Sequence, residues 1–393
     1  AASDVYKRQP VTLYPQAPTR PPTYPQPQAS TFSSSGKAHT IQKPPNQHHL
    51  EHGQMLTNHY FANEISLPWP KLGSTLITQR ITSKYRINKE FDRVCRGVYI
   101  PHGYTRDPDE ITFGVQQCPR NLRHRHHMIT RIRAHALAHP NTIFAGWSAL
   151  RMLGLPFWTN DMSLQILGNR KATRSRSPAQ PDVFNYSGEL ILPSRYTLRN
   201  EFYYLPAETQ CVDQHLALTQ ALMDIRSKYT RWKIPDVATL TALTKLSAEH
   251  IYAIQLLDTA RQYFGFSDED VRIYSRHRIN SRFLDRILRL SRKGADSPPE
   301  TLIRLIAATV FPNLELQHQF FWESGTRAGK LLTIADLFSP ERGVAIFYDG
   351  RDQRNHDYRV DRELQSRGIH VLRFSARDLH DVASIYSVLL RYA

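Results

Sequence analysis

The chain has 393 residues, too many for one ordinary core, and its 40% apolar content is enough to fold most of them into two or three domains. Lys and Arg number 51 against 35 Asp and Glu, so the formal net charge is +16 and a polyanion, nucleic acid or an anionic membrane, is the expected partner. No apolar stretch approaches the roughly 18–20 residues that span a bilayer, no signal peptide is recognisable, and three cysteines without C-x-x-C spacing exclude a disulfide framework or a zinc knuckle. Double-stranded DNA in a reducing cytoplasm, with no membrane partner, is the expectation these features set.

Residues 1–54 hold 9 of the 25 prolines among Gln, Ser, Thr and His, a composition that buries too little apolar surface to fold, so disorder is expected. The opening "DVYKRQ" resembles the translation of a transposase mosaic-end adapter, which makes Met55 the expected start and the tail partly artefactual. Residues 55–115 read as a basic DNA-binding domain: Ile77, Ile81, Ile87, Phe91 and Val94 keep roughly helical spacing, and "RGVYIP" is a strand after a glycine. Helix, turn, helix and strand in that order outline a winged helix. Arg80, Lys84, Arg86, Lys89 and Arg93 are its candidate contacts to phosphate or base edges.

Residues 120–235 read as a mixed α/β region. It opens on a basic helix ending at Pro140, then "TIFAGWSALRMLGLP", a strand running into a helix, and later "QHLALTQALMDI", an amphipathic helix. The "HRHH" run, His124 to His127, reads as a polar helix face, because adjacent histidines diverge and no Cys or carboxylate stands at ligand spacing. Residues 236–292 read as a helical connector. Residues 293–393 alternate in the manner of a small α/β/α sandwich. "SPPETLIRLIAATVF" starts a helix with Ser297 at the cap, Pro298 in the first turn and Glu300 at the capping-box position. Three strands follow, then a helix, the strand "IHVLRF" and a last helix.

Chemistry concentrates in that last hundred. Asp336 lies in "LLTIADLF" and Asp349 closes "GVAIFYDG"; a hairpin between these strands brings two carboxylates to one end of the sheet. Glu300 is a third acid nearby. Clustered carboxylates suit a hard cation such as Mg²⁺, which activates water and stabilises charge on phosphate. Taken singly, Glu300 reads as a helix cap and Asp349 as the start of an Asp-Gly turn.

"SPPETLIR", the strand with Asp336, "VAIFYDG" and "DRELQSRGIHVLRF" in this order resemble the very short patch repair endonuclease fold and its relatives of unknown function, within the PD-(D/E)xK superfamily. The resemblance covers about Lys293 to Ala393. It implies a restriction-endonuclease-like domain that cleaves DNA with Mg²⁺, Asp336 and Asp349 holding the metal and Glu300 a helix-borne acid. Many relatives end the strand Glu-x-Asp-Gly, where this chain has Phe347; the superfamily lysine is also missing, since Gly350 and Arg351 follow Asp349. A histidine would then serve as general base or leaving-group acid, and His356 is the nearest.

"GSTLITQRITSKYRINKEFDRVCRGVYIP" is similar to the winged-helix module of AbiEi-type antitoxins, and "IFAGWSALRMLGLP" to the domain that follows it there; Arg96-Gly97-Val98-Tyr99 and Gly146-x-Ser148-Ala149 carry the match. This resemblance implies operator DNA and a cognate toxin as partners. Two readings stay open: a Mg²⁺-dependent DNA endonuclease positioned by its winged helix, and a non-catalytic antitoxin-like regulator with a degenerate nuclease domain.

Overall fold

The structure, a computed structural model, describes residues 64–106, 118, 123–168, 183–186, 197–199, 204–295, 297–323, 325–349 and 358–393. The expected tail 1–54 lies outside them. Lys71–Leu72 (β1), the short helices Gly73–Thr78 (α1) and Ile87–Glu90 (α2), and the strands Phe91–Cys95 (β2) and Val98–Pro101 (β3) come first. Gly97, at φ +79°, turns the chain between β2 and β3, and the antiparallel sheet runs β1-β3-β2. The helical run expected across Ile77 to Val94 does not form as one face. Arg80 adopts φ +55° just after α1, Ile77 and Ile81 stay 40% and 47% exposed, and Phe91 and Val94 join β2. Aromatic and β-branched residues suit a pleated strand better than a helix.

The middle region holds Met128–Ala138 (α3), Ile143–Phe144 (β4), Gly146–Met152 (α4), Leu164–Leu167 (β5), Val183–Tyr186 (β6), Thr197–Arg199 (β7), Gln210–Val212 (β8) and Gln214–Arg226 (α5). The sheet is mixed, in the order β6-β5-β4-β8-β7. The expected basic helix begins only at Met128, so His124 to His127 precede it rather than forming its face. Two of its arginines point inward. Arg133 donates to the carbonyls of Tyr204 (2.9 Å), Leu67 (3.0 Å) and Ile65 (2.7 Å), and Arg131 to those of His126 (3.1 Å), Met162 (2.8 Å) and Asn160 (2.9 Å). A guanidinium's fork of donors satisfies loop carbonyls that no ladder reaches. The helix α5, expected to be amphipathic, is buried without a break from Leu216 to Leu222, because α4 and the helices of the next region enclose it.

Gly146 opens α4 at φ +45°. Its N–H donates to Gln220 Oε1 (2.8 Å) and that of Trp147 to Gln165 Oε1 (2.6 Å), so two buried glutamines cap the helix. A Cβ at Gly146 would lie 2.0 Å from Gln165 Oε1. Gly146→Ala is therefore expected to lower stability by roughly 1–3 kcal/mol from backbone strain alone, read as a shift in urea midpoint; a midpoint that did not move would mean that residue 146 does not hold this positive φ.

Residues 237–290 are helical as expected: Val237–Thr244 (α6), Ala248–Phe264 (α7), Asp268–Ser275 (α8) and Ser281–Leu290 (α9). Side-chain caps explain the breaks. Ser267 and Asp270 form a capping box on α8, Asn280 accepts from Phe283 N–H (3.2 Å) at α9, and Gly265 leaves α7 at φ +68°.

The last part runs Pro298–Ala307 (α10), Glu315–Phe321 (β9), Leu331–Ser339 (β10), Val344–Asp349 (β11), Tyr358–Ser366 (α11), His370–Ser375 (β12) and Val382–Leu390 (α12). The sheet order is β12-β11-β10-β9, antiparallel except for the parallel β11–β12 pair. Alternate residues of β11 face two cores: Val344 and Ile346 pack with α10 and α12, Ala345 and Phe347 with Leu364 of α11. The chain is mixed α/β with three small sheets among the described residues, all of which lie in one compact unit, Asn46–Ala393. The larger core is continuous from Met128 to Leu389, so it crosses the expected boundaries at 235 and 292. No helix among the described residues is long and apolar enough to cross a membrane.

Candidate functional site

Two acids of the C-terminal part, Asp336 and Glu300, act on Tyr348, and a third, Asp349, follows it at the end of β11. Asp336 Oδ2 accepts the backbone N–H of Tyr348 at 2.6 Å, and Oδ1 the side-chain amide of Gln317 at 3.5 Å. The β10–β11 pairing reaches only Leu337 opposite Ile346, so this carboxylate stands where a ladder carbonyl would otherwise serve. Gln317 has φ +52°, and the sheet changes face there: Leu316 and Leu337 pack on the larger core, whereas Phe320 and Ala335 pack on the smaller. The irregularity turns Asp336 out of the regular alternation. Glu300 is in the first turn of α10, where Ser297 Oγ donates to its Oε1 at 2.7 Å. The expected capping box is thus replaced by a direct side-chain pair, and the Ser297 hydroxyl accepts no backbone N–H of the helix. Burial first, and then the Glu300 charge, push the Tyr348 phenol well above its ordinary range.

Asp349 has a different partner. Arg373, one strand over on β12 and directly opposite Phe347, donates NH1 to Asp349 Oδ1 (2.9 Å) and Oδ2 (3.2 Å) and NH2 to Asp361 Oδ1 (2.9 Å) of α11. Its guanidinium lies 4.4 Å from the centre of the Phe347 ring, a stacking arrangement that a planar cation favours. Phe347 is therefore a platform for a cation from the neighbouring strand. Arg373 and Asp361 were not singled out in the sequence. Parallel register alone joins residues 24 apart here, and no local spacing signals it.

The oxygens of Glu300 and Asp336 are of the right kind for a hard cation. The arrangement nevertheless does not fit a metal shared by Asp336 and Asp349, because both oxygens of Asp349 are engaged by Arg373. Among the described residues no group of three or more His, Cys, Asp or Glu is placed to hold a metal ion. His356, with Gly350 and Arg351, lies outside the described residues.

In the basic front, Arg80, Lys84, Arg86, Lys89 and Arg93 are all exposed. Arg80 and Lys84 lie in the loop after α1, Lys89 in α2 and Arg93 in β2; Arg86, just before α2, pairs with Glu90 at 2.5 Å. Tyr85, 89% exposed, stands among them. Asp92 is buried on the other face of β2 and accepts from Arg125 at 2.6 Å. The positive charge of the middle region is different in kind. Arg131, Arg133 and Arg151 are buried, and Arg151 pairs with Glu64. Burial raises the Glu64 carboxyl, but Arg151 and His127 outweigh it and hold the group below the usual carboxylate range. His126 is buried, which pushes its pKa down to about 4. These charges hold the fold. Cys95 and Cys118 are free, and burial raises their thiols to about 11 and about 12, which makes them poor nucleophiles.

Comparison with protein-family models, with curated proteins and with solved structures finds no match.

Proposed function

We propose that the chain binds duplex DNA and that its C-terminal hundred residues have a nuclease architecture. The observation that carries the reading is the order helix, three antiparallel strands, helix and a strand parallel to the third, with Asp336 bonded to the Tyr348 N–H, Glu300 acting on the Tyr348 phenol and Asp349 at the end of the same strand. The β1-β3-β2 sheet with two helices before β2, and five exposed cations on and around it, supports a winged-helix reading of the front. Cleavage with Mg²⁺ in this reading requires Asp349 to release Arg373. The second reading, a non-catalytic antitoxin-like regulator acting with a cognate toxin, needs no such release, and the Arg373–Asp349 contact favours it.

The test uses the full chain with a short random-sequence duplex and with supercoiled plasmid. Duplex binding that weakens steeply with salt is expected, with log K falling by about 0.9 per neutralised phosphate per decade of salt; absence of binding at low salt overturns the proposal. Nicking with Mg²⁺ or Mn²⁺ that Asp336→Ala abolishes selects the enzyme. Binding without nicking, in the parent and in Arg373→Gln alike, selects the regulator. Nicking only by Arg373→Gln or Phe347→Glu identifies a nuclease centre closed by its own arginine.

A further inference from the structure

A second strongly basic surface lies far in sequence from the front module. Between Arg272 and Lys293 there are eight Arg or Lys and one acid, Asp285. On α9, Phe283, Leu284, Ile287 and Leu288 are buried, while Arg282, Asp285 and Arg289 are exposed and Arg286 half-buried. The spacing 282, 286, 289 places three arginines on one stripe of the helix, and the exposed Lys293 adds a cation just beyond its C-cap, Ser291. Asp285 is occupied by Arg272. Arg226, at the end of α5, stacks on the edge of the same helix, 4.9 Å from the Phe283 ring, and Arg286 donates to the carbonyl of the exposed Lys245 at 3.0 Å. The other acid facing this surface, Glu249, lies 3.7 Å from Lys228.

We propose that this stripe, Arg226, Lys245, Arg282, Arg286, Arg289 and Lys293, is a docking surface for the phosphate backbone of duplex DNA. Its partner class rests on the DNA-binding reading above, but its location does not. Arg282 to Arg289 spans about 10 Å at 1.5 Å per residue, which matches about three base steps of 3.4 Å along one strand. Arg282 and Arg289 end in exposed guanidiniums, and the nearest acids, Asp285 and Glu249, face other cations, so they can neutralise phosphates at little cost. A lipid surface fits less well: a helix that lies in a bilayer interface needs its apolar face free, and the apolar face of α9 is already buried against the core. The stripe runs out at Lys293, four residues before Ser297, the partner of Glu300. The local field supports the assignment: burial, and then Arg286 and Arg226, lower the pKa of His250 despite the Glu249 beside it.

The experiment compares the full chain with the triple variant Arg282→Gln/Arg289→Gln/Lys293→Gln, measuring affinity for a random-sequence duplex across a salt series. Each lost contact should flatten the slope of log K against log salt by about 0.9 and weaken binding up to roughly eightfold at 0.1 M salt. Arg289→Gln alone should give about a third of the slope change, and it covers the case in which the triple variant melts early. In the parent, duplex should also raise the pKa of His250, followed by its ring-proton shifts. Parent binding with an unchanged slope in both variants overturns the stripe while leaving the DNA-binding reading intact. A parent that binds no duplex overturns both. If it then binds phosphatidylserine vesicles and the triple variant does not, the surface belongs to a membrane contact and the proposal is wrong.

Discussion

Asp258→Ala is expected to cost roughly 3–5 kcal/mol of stability, measured as a loss in urea midpoint. The side chain of Asp258 is 0% exposed and that of Arg304 only 7%, with NH2 donating to Oδ2 at 2.6 Å. The same oxygen accepts from Thr301 Oγ1 at 3.0 Å, and Oδ1 accepts the Arg292 N–H at 2.7 Å. Three donors from the start of the C-terminal part therefore end on one carboxylate of α7. Alanine would leave a buried guanidinium with its bond to the Leu290 carbonyl but no counter-charge, and it would strand a hydroxyl and an amide as well. Replacing both partners, as Asp258→Leu with Arg304→Met, should cost much less, because no uncompensated charge remains. If the single substitution cost under 1 kcal/mol, water would have to reach this site, against the burial described.

Asp224→Asn should do the opposite and stabilise the chain, by up to about 4 kcal/mol at pH 8. Asp224 is 6% exposed on α5, and burial raises its pKa from 3.8 to about 7 against the opposing hydrogen bonds from Gln165 and Tyr186. Gln165 Nε2 donates to Oδ2 at 2.6 Å and Tyr186 Oη to Oδ1 at 2.9 Å, but no cation faces the group. The sign follows from proton counting. Between pH 3.8 and about 7 the folded chain holds more protons at this site than the unfolded one, so stability falls as pH rises and the full cost is present above 7. Asparagine is a fair mimic of the protonated acid. Its Oδ1 can accept from Gln165 while its amide donates to Tyr186, whose hydroxyl can turn to the Gln220 carbonyl at 3.3 Å. His126 and His135 run the other way: burial lowers each to about 4, so their contribution is present above pH 6.5 and fades as pH falls toward 4. The difference between variant and parent cancels the histidines. A difference that stays flat from pH 4 to 8 would mean Asp224 ionises normally.

The legible parts of the chain were those in which local pattern and tertiary demand agree. The strand ending at Asp349 is a continuous apolar run, and the helices from 248 to 290 carry their own caps, so each element falls where the residues predict. The buried roles of Arg131 and Arg133 are not legible locally, because charge in a helix reads as solvent-facing while their acceptors come from segments up to 71 residues away. At the candidate site the cation was sought two places after Asp349 and is found on β12 instead, through a strand register that no spacing encodes. The stripe on α9 was legible and passed over. Its 282, 286, 289 spacing against buried 283, 284, 287 and 288 is an ordinary amphipathic signal, read only as "helical".

The apolar core that crosses residues 235 and 292 bears on how this chain can be cut or inherited. Leu302, Ile303 and Ile306 of α10 and Val382, Ile385 and Leu389 of α12 are buried in the same body as Ile254 and Leu257 of α7. A chain ended at residue 292 would not be a smaller protein relieved of its C-terminal part. It would be a protein with an open wound, its α7 face and the Asp258 carboxylate laid bare to water and to other chains, and aggregation rather than simplification would be its fate.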